Sequence, residues 1–280
     1  MTAGGPFTDA APSRAGHRPR PPCRQCCGVA LELGSARTRA WVAGQGMILD
    51  VPTVTFPGPG VVHPGRRRGA IVDVAGTARM LDRLLGPRLP RSTRPLVMVT
   101  TPVLDGPAHR ERARTAVRAL RPRAVLTVPT SRAIALAADA DLARPLLVVD
   151  MGAHLTEVVL LGEGSVVDAR CTAVGTADHA HGTDAAQKIS ETVALMITSL
   201  VHQDSTGLAD DALNRGALLA GGGVLIPDLI HRLADTLRAP LCVAPAPHTA
   251  ALRGAARVLR AAHTHPSLCG TALPSVAAPP

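Results

Sequence analysis

The sequence is poor in aromatic side chains, with one tryptophan, two phenylalanines and no tyrosine among its 280 residues. Proteins that bind single-stranded nucleic acid usually stack the bases on aromatic rings, so this scarcity argues against that class. The net charge of +9 would suit nucleic acid, but no recognition motif accompanies it. We therefore expect no nucleic-acid partner, and the charge favours an anionic membrane surface or an acidic partner instead.

Long apolar runs are absent as well. No run approaches the roughly 18 residues that cross a bilayer, and the N-terminus carries no apolar segment of the kind found in secretion signals. These absences predict a cytoplasmic protein. The apolar fraction of 46% is nevertheless enough to bury a sizeable core.

The six cysteines do not complete a metal-binding pattern. Cys23, Cys26 and Cys27 have a spacing that could begin a zinc site, but a structural zinc needs four ligands, and no second pair follows at a suitable spacing. The spacing alone is compatible with a zinc site or with reduced thiols in a disordered arm. The missing pair favours the thiols.

Both ends of the chain are expected to be disordered. Residues 1–27 are rich in proline, glycine and arginine without periodicity, which is typical of a disordered basic arm. Residues 263–280, which end in Ala-Ala-Pro-Pro, indicate a second disordered tail.

The most informative feature is an internal repeat with an offset of 118 positions. Each copy has the pattern of an apolar strand ending in a carboxylate, a glycine turn, a second strand, a Gly-x-Gly turn and a third strand. Glu32 meets Asp150 at this offset, and five residues recur in identical form. They are Gly34, Thr38, Gly44, Gly46 and Asp50, which match Gly152, Thr156, Gly162, Gly164 and Asp168. The repeat predicts two duplicated domains.

The segments after each copy alternate between strands and helices, which is typical of α/β layers. Hydrophobic periodicity and turn signals predict strands at 96–101, 124–128, 216–220 and 241–244. They predict helices at 107–120, 185–203 and 248–262. A further helix is predicted to begin at Thr130 or Ser131, whose hydroxyl would cap it, and another to run from the glycine turn to about Arg238.

The glycine turns predict a site for the phosphates of a nucleotide. A tight turn after a strand places backbone N–H groups where phosphate oxygens can bind, and the carboxylate at the strand end can hold a hydrated Mg²⁺. The turn at 221–223 lets a third segment approach the nucleoside without Cβ atoms in the way. Each turn alone is compatible with a structural role, but three turns on duplicated units favour binding.

With these features the chain resembles the actin, Hsp70 and sugar-kinase superfamily, and within it the bacterial cell-shape actins MreB and Mbl. The resemblance covers about residues 28–262 and is most specific at 28–54, 148–175, 210–226 and 246–259. It implies an α/β, actin-like ATPase fold of two duplicated RNase H-like subdomains. Domain I would span 28–144 with the closing helix 247–262, and domain II would span 145–246.

The resemblance also implies that the two small outer subdomains are reduced or missing, between Pro57 and about Arg66 and between Gly175 and about Ala185. It assigns the nucleotide contacts to three loops. They are Gly34, Ser35, Ala36 and Arg37; Gly152, Ala153, His154 and Leu155; and Gly221, Gly222, Gly223 and Val224. Asp150 and Glu32 would contact Mg²⁺ through water, so that the implied cofactors are ATP and Mg²⁺.

Departures from the family pattern predict weak or absent ATPase activity. Glu32 replaces an aspartate, the second loop has lost two glycines and a threonine, and Val128-Pro129 replaces the Glu-Pro element that positions the attacking water. His154 could act as a substitute base, but a lone histidine in a loop is more often solvated. We therefore assign no catalytic residue beyond a metal-water contact of Asp150.

The function implied by the resemblance is that of a cell shape-determining, cytoskeletal or morphogenetic protein with vestigial ATP binding. Its partners would be further copies of itself or a full-length MreB/Mbl paralogue, the cell-wall synthesis complex and, through the basic arm, an anionic membrane. Two alternatives stay open. One is an active ATPase or small-molecule kinase on the same fold, and the other is a nucleotide-free scaffold.

Overall fold

The computed structural model describes residues 27–58, 61–64, 66–67, 70–104, 106–179, 185–226 and 228–265. The predicted basic arm, with Cys23 and Cys26, lies outside the described residues apart from Cys27. The predicted tail lies outside them beyond His265.

The described residues of the first half form nine strands, five of which make up one sheet around the first of these strands. In chain order they are β1 (Gly28–Leu33), β2 (Arg37–Val42), β3 (Gly46–Pro52), β4 (Val54–Gly58), β5 (Val61–Pro64), β6 (Arg66–Arg67), β7 (Ala70–Ile71), β8 (Leu96–Thr101) and β9 (Ala124–Pro129). The strands of the second half are β10 (Leu146–Met151), β11 (Thr156–Gly162), β12 (Ser165–Thr172), β13 (Ala217–Ala220) and β14 (Leu241–Val243).

Helices cover both sheets. They are α1 (Val74–Leu85), α2 (Gly106–Val117), α3 (Thr130–Ala137), α4 (Ala185–Gln203), α5 (Leu208–Arg215), α6 (Leu229–Leu237) and α7 (Ala250–Thr264). Short 3₁₀ turns lie at Gly86–Arg88, Arg118–Leu120, Thr176–His179, Gly222–Leu225 and Pro247–Thr249.

The two five-stranded sheets have the same topology. Their strand orders are β3-β2-β1-β8-β9 and β12-β11-β10-β13-β14. In each, the first three strands are antiparallel neighbours, and the last two join them in parallel. The central strands β1 and β10 begin and end at the repeat offset, at residues 28–33 and 146–151. The duplicated α/β fold predicted from the repeat is therefore confirmed.

The small elements between β3 and α1 stand where the sequence analysis expects a reduced outer subdomain. The described residues there form two short antiparallel hairpins, β4 with β5 and β6 with β7. In the second half, a 3₁₀ turn follows Gly175 and α4 begins at Ala185, while residues 180–184 lie outside the described part of the chain.

Burial explains why the sequences of the central strands are nearly continuous runs of apolar residues. Parallel strands covered by helices on both faces must present apolar side chains in both directions. All six residues of β8 are buried, and Leu31 of β1 and Leu147 of β10 are fully buried. Helices α1 and α2 cover the outer face of the first sheet, and α4, α5 and α6 cover that of the second.

Helices α3 and α7 pack between the two sheets. Leu252 and Leu259 of α7 join the core formed by β1 and β8. Ala251 of α7 and Ile134 of α3 instead pack against β10 and β11 of the second sheet. The domain boundary at residues 144 and 145 stays a prediction, since these two helices contribute to the cores of both halves.

Three local predictions were wrong. No hydroxyl caps α3, because Ser131 is buried within its first turn and Pro129 stands at the cap position. The helix expected after the glycine turn is interrupted: Ile226 precedes a proline and has an extended backbone, as the proline ring requires. The closing helix ends at Thr264, two residues later than predicted.

The contact between α3 and α7 generates a stability prediction. A Cβ added at Gly254 would lie 1.7 Å from the carbonyl oxygen of Ala133, so Gly254→Ala must force the helices apart. We expect a loss of about 2 to 4 kcal/mol in the free energy of unfolding, measured by urea denaturation. Ala261→Ser on the exposed face of α7 is the matched control, and an equal loss in both variants would contradict the packing argument.

Candidate functional site

The first two glycine turns have the same geometry in both copies of the repeat. The Gly34 N–H donates to the Arg37 carbonyl oxygen at 2.9 Å, and the Gly152 N–H donates to the Leu155 carbonyl oxygen at 2.9 Å. An added Cβ would lie 2.6 Å from the accepting oxygen at Gly34 and 2.8 Å from it at Gly152. Close backbone approach therefore explains why these two glycines recur.

The third glycine turn lies against the end of β10. Gly221 has a φ of 89°, a conformation that side chains with a Cβ rarely adopt. Its N–H donates to the Pro247 carbonyl oxygen at 3.0 Å. A Cβ at this position would lie 2.4 Å from the Met151 carbonyl oxygen and 2.6 Å from Asp150 Oδ1. The chain thus brings a third backbone segment beside the carboxylate that ends β10.

The three turns surround one cleft between the two halves, with a volume of about 250 Å³. Most of the predicted site residues line it: Glu32, Gly34, Ser35, Ala36, Arg37, Asp150, Gly152, Ala153, Leu155, Gly221 and Gly222. Further residues line the cleft that were not predicted from the sequence: Leu33, Arg39, Thr100, Pro102, Thr130, Glu157, Thr176 and His248.

Three predicted site residues are placed elsewhere. The His154 ring nitrogen Nδ1 lies 3.0 Å from Asp178 Oδ1, so the imidazole pairs with the segment after β12. Gly223 is buried behind the cleft, where a Cβ would lie 2.6 Å from the Met151 Cβ. Val224 belongs to the core of the second half.

Two arginines of the first copy are held by carboxylates. Arg37 Nε donates to Asp50 Oδ1 at 2.5 Å. Arg39 Nη1 lies 3.1 Å from Glu32 Oε1, and its Nε lies 3.2 Å from Asp50 Oδ1. Partial burial opposes ionisation of Asp50, but the hydrogen bond from Arg37 and the charges of both arginines hold its pKa below the ordinary value. Asp50 therefore fixes both cations.

Asp150 is a carboxyl group of the cleft whose pKa is shifted by its surroundings. Burial raises the pKa of its carboxyl to about 6, although the positive charge of Arg39 acts in the opposite direction. Near neutral pH the carboxylate is thus ionised only at a cost, and a ligand that brings further negative charge makes ionisation harder still.

The residues around Glu32 and Asp150 do not fit a Mg²⁺ ion. The guanidinium of Arg39 is already paired with Glu32 and acts on Asp150, so a divalent cation would meet a positive charge between the carboxylates predicted to contact it. Among the residues that the structure describes, no group of three His, Cys, Asp or Glu side chains is placed to hold a metal ion.

Glu157 connects the two halves. Its Oε1 accepts a hydrogen bond from the Val103 N–H at 2.9 Å, and the residue is 4% exposed. Val103 follows β8 of the first sheet, whereas Glu157 lies on β11 of the second. This bond therefore spans the floor of the cleft.

Arg39 and Glu157 occupy equivalent positions of the repeat. Arg39 pairs in register with Glu32, and Glu157 pairs in register with Asp150. The sequence contains a signal for both, because a hairpin closed from Gly34 to Arg37 places residue 39 opposite residue 32. Matching identical residues across the repeat misses them, since the two side chains have opposite charges.

Most of the chain matches the model of a known protein family. The family model described as MreB/Mbl protein matches residues 60–182 and 178–267, which together make up most of the chain. The chain belongs to the MreB/Mbl family. This is a family of bacterial actin-like, cytoskeletal proteins, and the resemblance noted from the loops is confirmed.

Solved structures share the fold at low sequence identity. MreB5 of Spiroplasma citri bound to ADP has a TM-score of 0.76 and 15% identity, over 85% of this chain and 97% of that chain. The MamK double helical filament has a TM-score of 0.69 and 13% identity, over 83% and 98%. Ethanolamine utilization protein EutJ from Carboxydothermus hydrogenoformans has a TM-score of 0.61 and 16% identity, over 85% and 91%.

A search of curated proteins found no match to this chain. In the described part of the chain, none of the helices has the length and apolar character needed to cross a membrane.

Adjacent glycines of the third turn allow a matched test of the cleft wall. Gly221→Ala must strain a backbone with positive φ and push against the end of β10, so we expect a loss of about 2 to 4 kcal/mol in unfolding free energy. A Cβ at Gly222 meets nothing within 4 Å. Gly222→Ala is therefore expected to unfold like the wild type in thermal and urea denaturation, and equal losses in the two variants would contradict this geometry.

The raised pKa of Asp150 predicts a pH-dependent stability. Between the ordinary pKa of 3.8 and the folded-state value of about 6, the folded chain retains a proton that the unfolded chain has lost. Stability from this group is therefore lost as pH rises through that window. The free energy of unfolding of Asp150→Asn should rise relative to that of the wild type between about pH 4 and 6.5. At the upper end of this range the variant should be more stable by about 1 to 3 kcal/mol. Urea denaturation across this range measures the difference, and parallel curves would contradict it.

Proposed function

We propose that this MreB/Mbl-family chain is a cell shape-determining cytoskeletal protein that supports cell-wall synthesis and binds adenine nucleotide weakly. The observation that carries the nucleotide part is the cleft between the two halves, where three glycine turns meet. The N–H groups of Gly34, Gly152 and Gly221 are donated within the fold, so that other backbone N–H groups of the turns would bind phosphate oxygens. Arg37 and Arg39 line the same cleft. The structure of MreB5 of Spiroplasma citri, which shares the fold, was determined with ADP and with AMPPNP.

Hydrolysis is expected to be weak or absent. Phosphoryl transfer to water needs a group that orients the attacking water and a cation that offsets developing charge. The segment at the end of β9 contributes Thr130 to the cleft and no carboxylate, and His154 pairs with Asp178. The chain therefore lacks the usual means of positioning water at this segment. We infer a binding protein rather than an efficient ATPase.

Self-association is the second part of the proposal. A filament structure is described for MamK, which shares the fold over 83% of this chain. Exposed apolar side chains on the surface, including Leu195 at 71% and Leu225 at 62% exposure, are available for contacts between copies. Partners would be further copies, a full-length MreB/Mbl paralogue and the cell-wall synthesis complex. The place of action would be the cytoplasm, with contact to an anionic membrane through the basic N-terminal segment.

Calorimetric titration with ATP and ADP tests the nucleotide proposal. We expect dissociation constants in the micromolar to millimolar range, which correspond to binding free energies on the order of −4 to −8 kcal/mol. In a phosphate-release assay we expect turnover near the background rate. Arg37→Leu, which removes a cation from the cleft wall, should weaken binding. Rapid turnover would favour the ATPase alternative, and an absence of binding would favour the nucleotide-free scaffold.

Light scattering and electron microscopy with and without nucleotide test the filament proposal. Polymers are expected from the chain alone or after mixing with a full-length MreB/Mbl paralogue. Leu195→Asp and Leu225→Asp each place a charge on an exposed apolar position, and at least one of them should reduce assembly. A chain that stays monomeric under all these conditions would contradict the cytoskeletal proposal.

A further inference from the structure

The cleft contains a guanidinium group that two carboxylates hold in place. Arg39 is held by Glu32 at 3.1 Å and by Asp50 at 3.2 Å, and 11% of its side chain is exposed. The two carboxylates come from the strands on either side of β2. Arg39 is therefore positioned by two neighbours before any ligand arrives, and it lines the cleft together with the three glycine turns.

The positive charge of Arg39 belongs to the first half of the molecule only. At the equivalent position of the second copy stands Glu157, which accepts a hydrogen bond from the Val103 N–H. Asp150, at the end of β10, lies within electrostatic reach of Arg39. The arginine is thus paired with two carboxylates of the first half and acts through its charge on Asp150 of the second, and all but Asp50 line the cleft where the family resemblance places a hydrated Mg²⁺.

A guanidinium and a divalent cation compete for this role. Both neutralise carboxylates and phosphates, but they repel each other at short range. A guanidinium stays charged at any working pH and donates hydrogen bonds to phosphate oxygens in a planar, paired geometry. Once Arg39 is fixed by Glu32 and Asp50, binding a magnesium complex would bring two further positive charges beside it.

We propose that Arg39 takes the place of the divalent cation, so that the cleft binds the free nucleoside polyphosphate in preference to its magnesium complex. This inference rests on the proposed nucleotide binding and specifies the ionic form of the ligand. It gives the chain a nucleotide site that does not depend on magnesium.

Calorimetric titration of the full chain with ATP, once in EDTA and once in excess Mg²⁺, tests the inference. We expect binding in EDTA to be tighter by about tenfold, because the free nucleotide carries more negative charge for Arg39 and Arg37. Binding that strengthens on addition of Mg²⁺ would overturn the inference.

Three variants separate the charge of Arg39 from its structural role. Arg39→Leu should lose about tenfold or more in EDTA and should then bind more tightly with Mg²⁺ than without it. Arg39→Lys keeps the charge but loses the planar fork, so it should bind free ATP more weakly than the wild type and still bind it more tightly in EDTA than with Mg²⁺. Arg170→Leu is the matched control, since Arg170 is also ion-paired on a strand, 2.6 Å from Asp168, but does not line the cleft. Its binding should equal that of the wild type.

The outcomes distinguish this inference from the function on which it rests. Wild-type chain that binds ATP in neither buffer contradicts nucleotide binding itself, and both proposals fall. Binding that requires Mg²⁺, or an Arg39→Leu variant that binds free ATP as the wild type does, overturns only the role of Arg39. Circular dichroism melting checks that each variant is folded. If Arg39→Leu is not, the wild type and Arg39→Lys in the two buffers still decide the sign of the magnesium effect.

Discussion

The backbone contact between α3 and α7 determines how the two halves face each other. At Gly254 the helices approach so closely that the carbonyl oxygen of Ala133 occupies the space of a Cβ atom. Arg257 of α7 adds an ion pair to Asp139, just beyond the end of α3. Because these helices carry core residues of both sheets, their contact sets the separation of the two glycine turns. This close approach thus lies within one helical turn of Thr130, which lines the cleft.

Much of the fold could be predicted from the sequence because duplication leaves a strong signal. Residues with special backbone demands, such as Gly34 and Gly152, recur at one offset, and each makes the same hydrogen bond. Apolar runs at β8 and β10 identify the buried central strands. Local ends were less predictable. Helix α3 begins at Thr130 as predicted, but the burial of Ser131 removes the expected hydroxyl cap. The proline after Ile226 interrupts the next helix by local backbone restriction, which the sequence contains and the prediction overlooked.

The candidate site could be predicted where backbone determines it and not where side chains do. The sheet topology places the ends of β10 and β13 side by side, and the packing of the two halves brings the end of β1 to the same cleft. Arg39 and Glu157 lie opposite the predicted carboxylates, but their roles depend on side-chain contacts across strands and across halves. Contacts between side chains that are distant in the sequence leave no local pattern from which they could be predicted. His154 shows the converse, since its position in a predicted loop was correct while its ring pairs with Asp178.

The exchange of Arg39 for Glu157 between the two copies has a consequence for orientation. A cleft built from two identical copies would present the same wall twice, and an elongated ligand could enter it in either of two directions. Here one wall bears a guanidinium and the other a carboxylate committed to Val103. Duplication supplied a symmetric frame, and one inverted charge makes the two walls of the cleft differ.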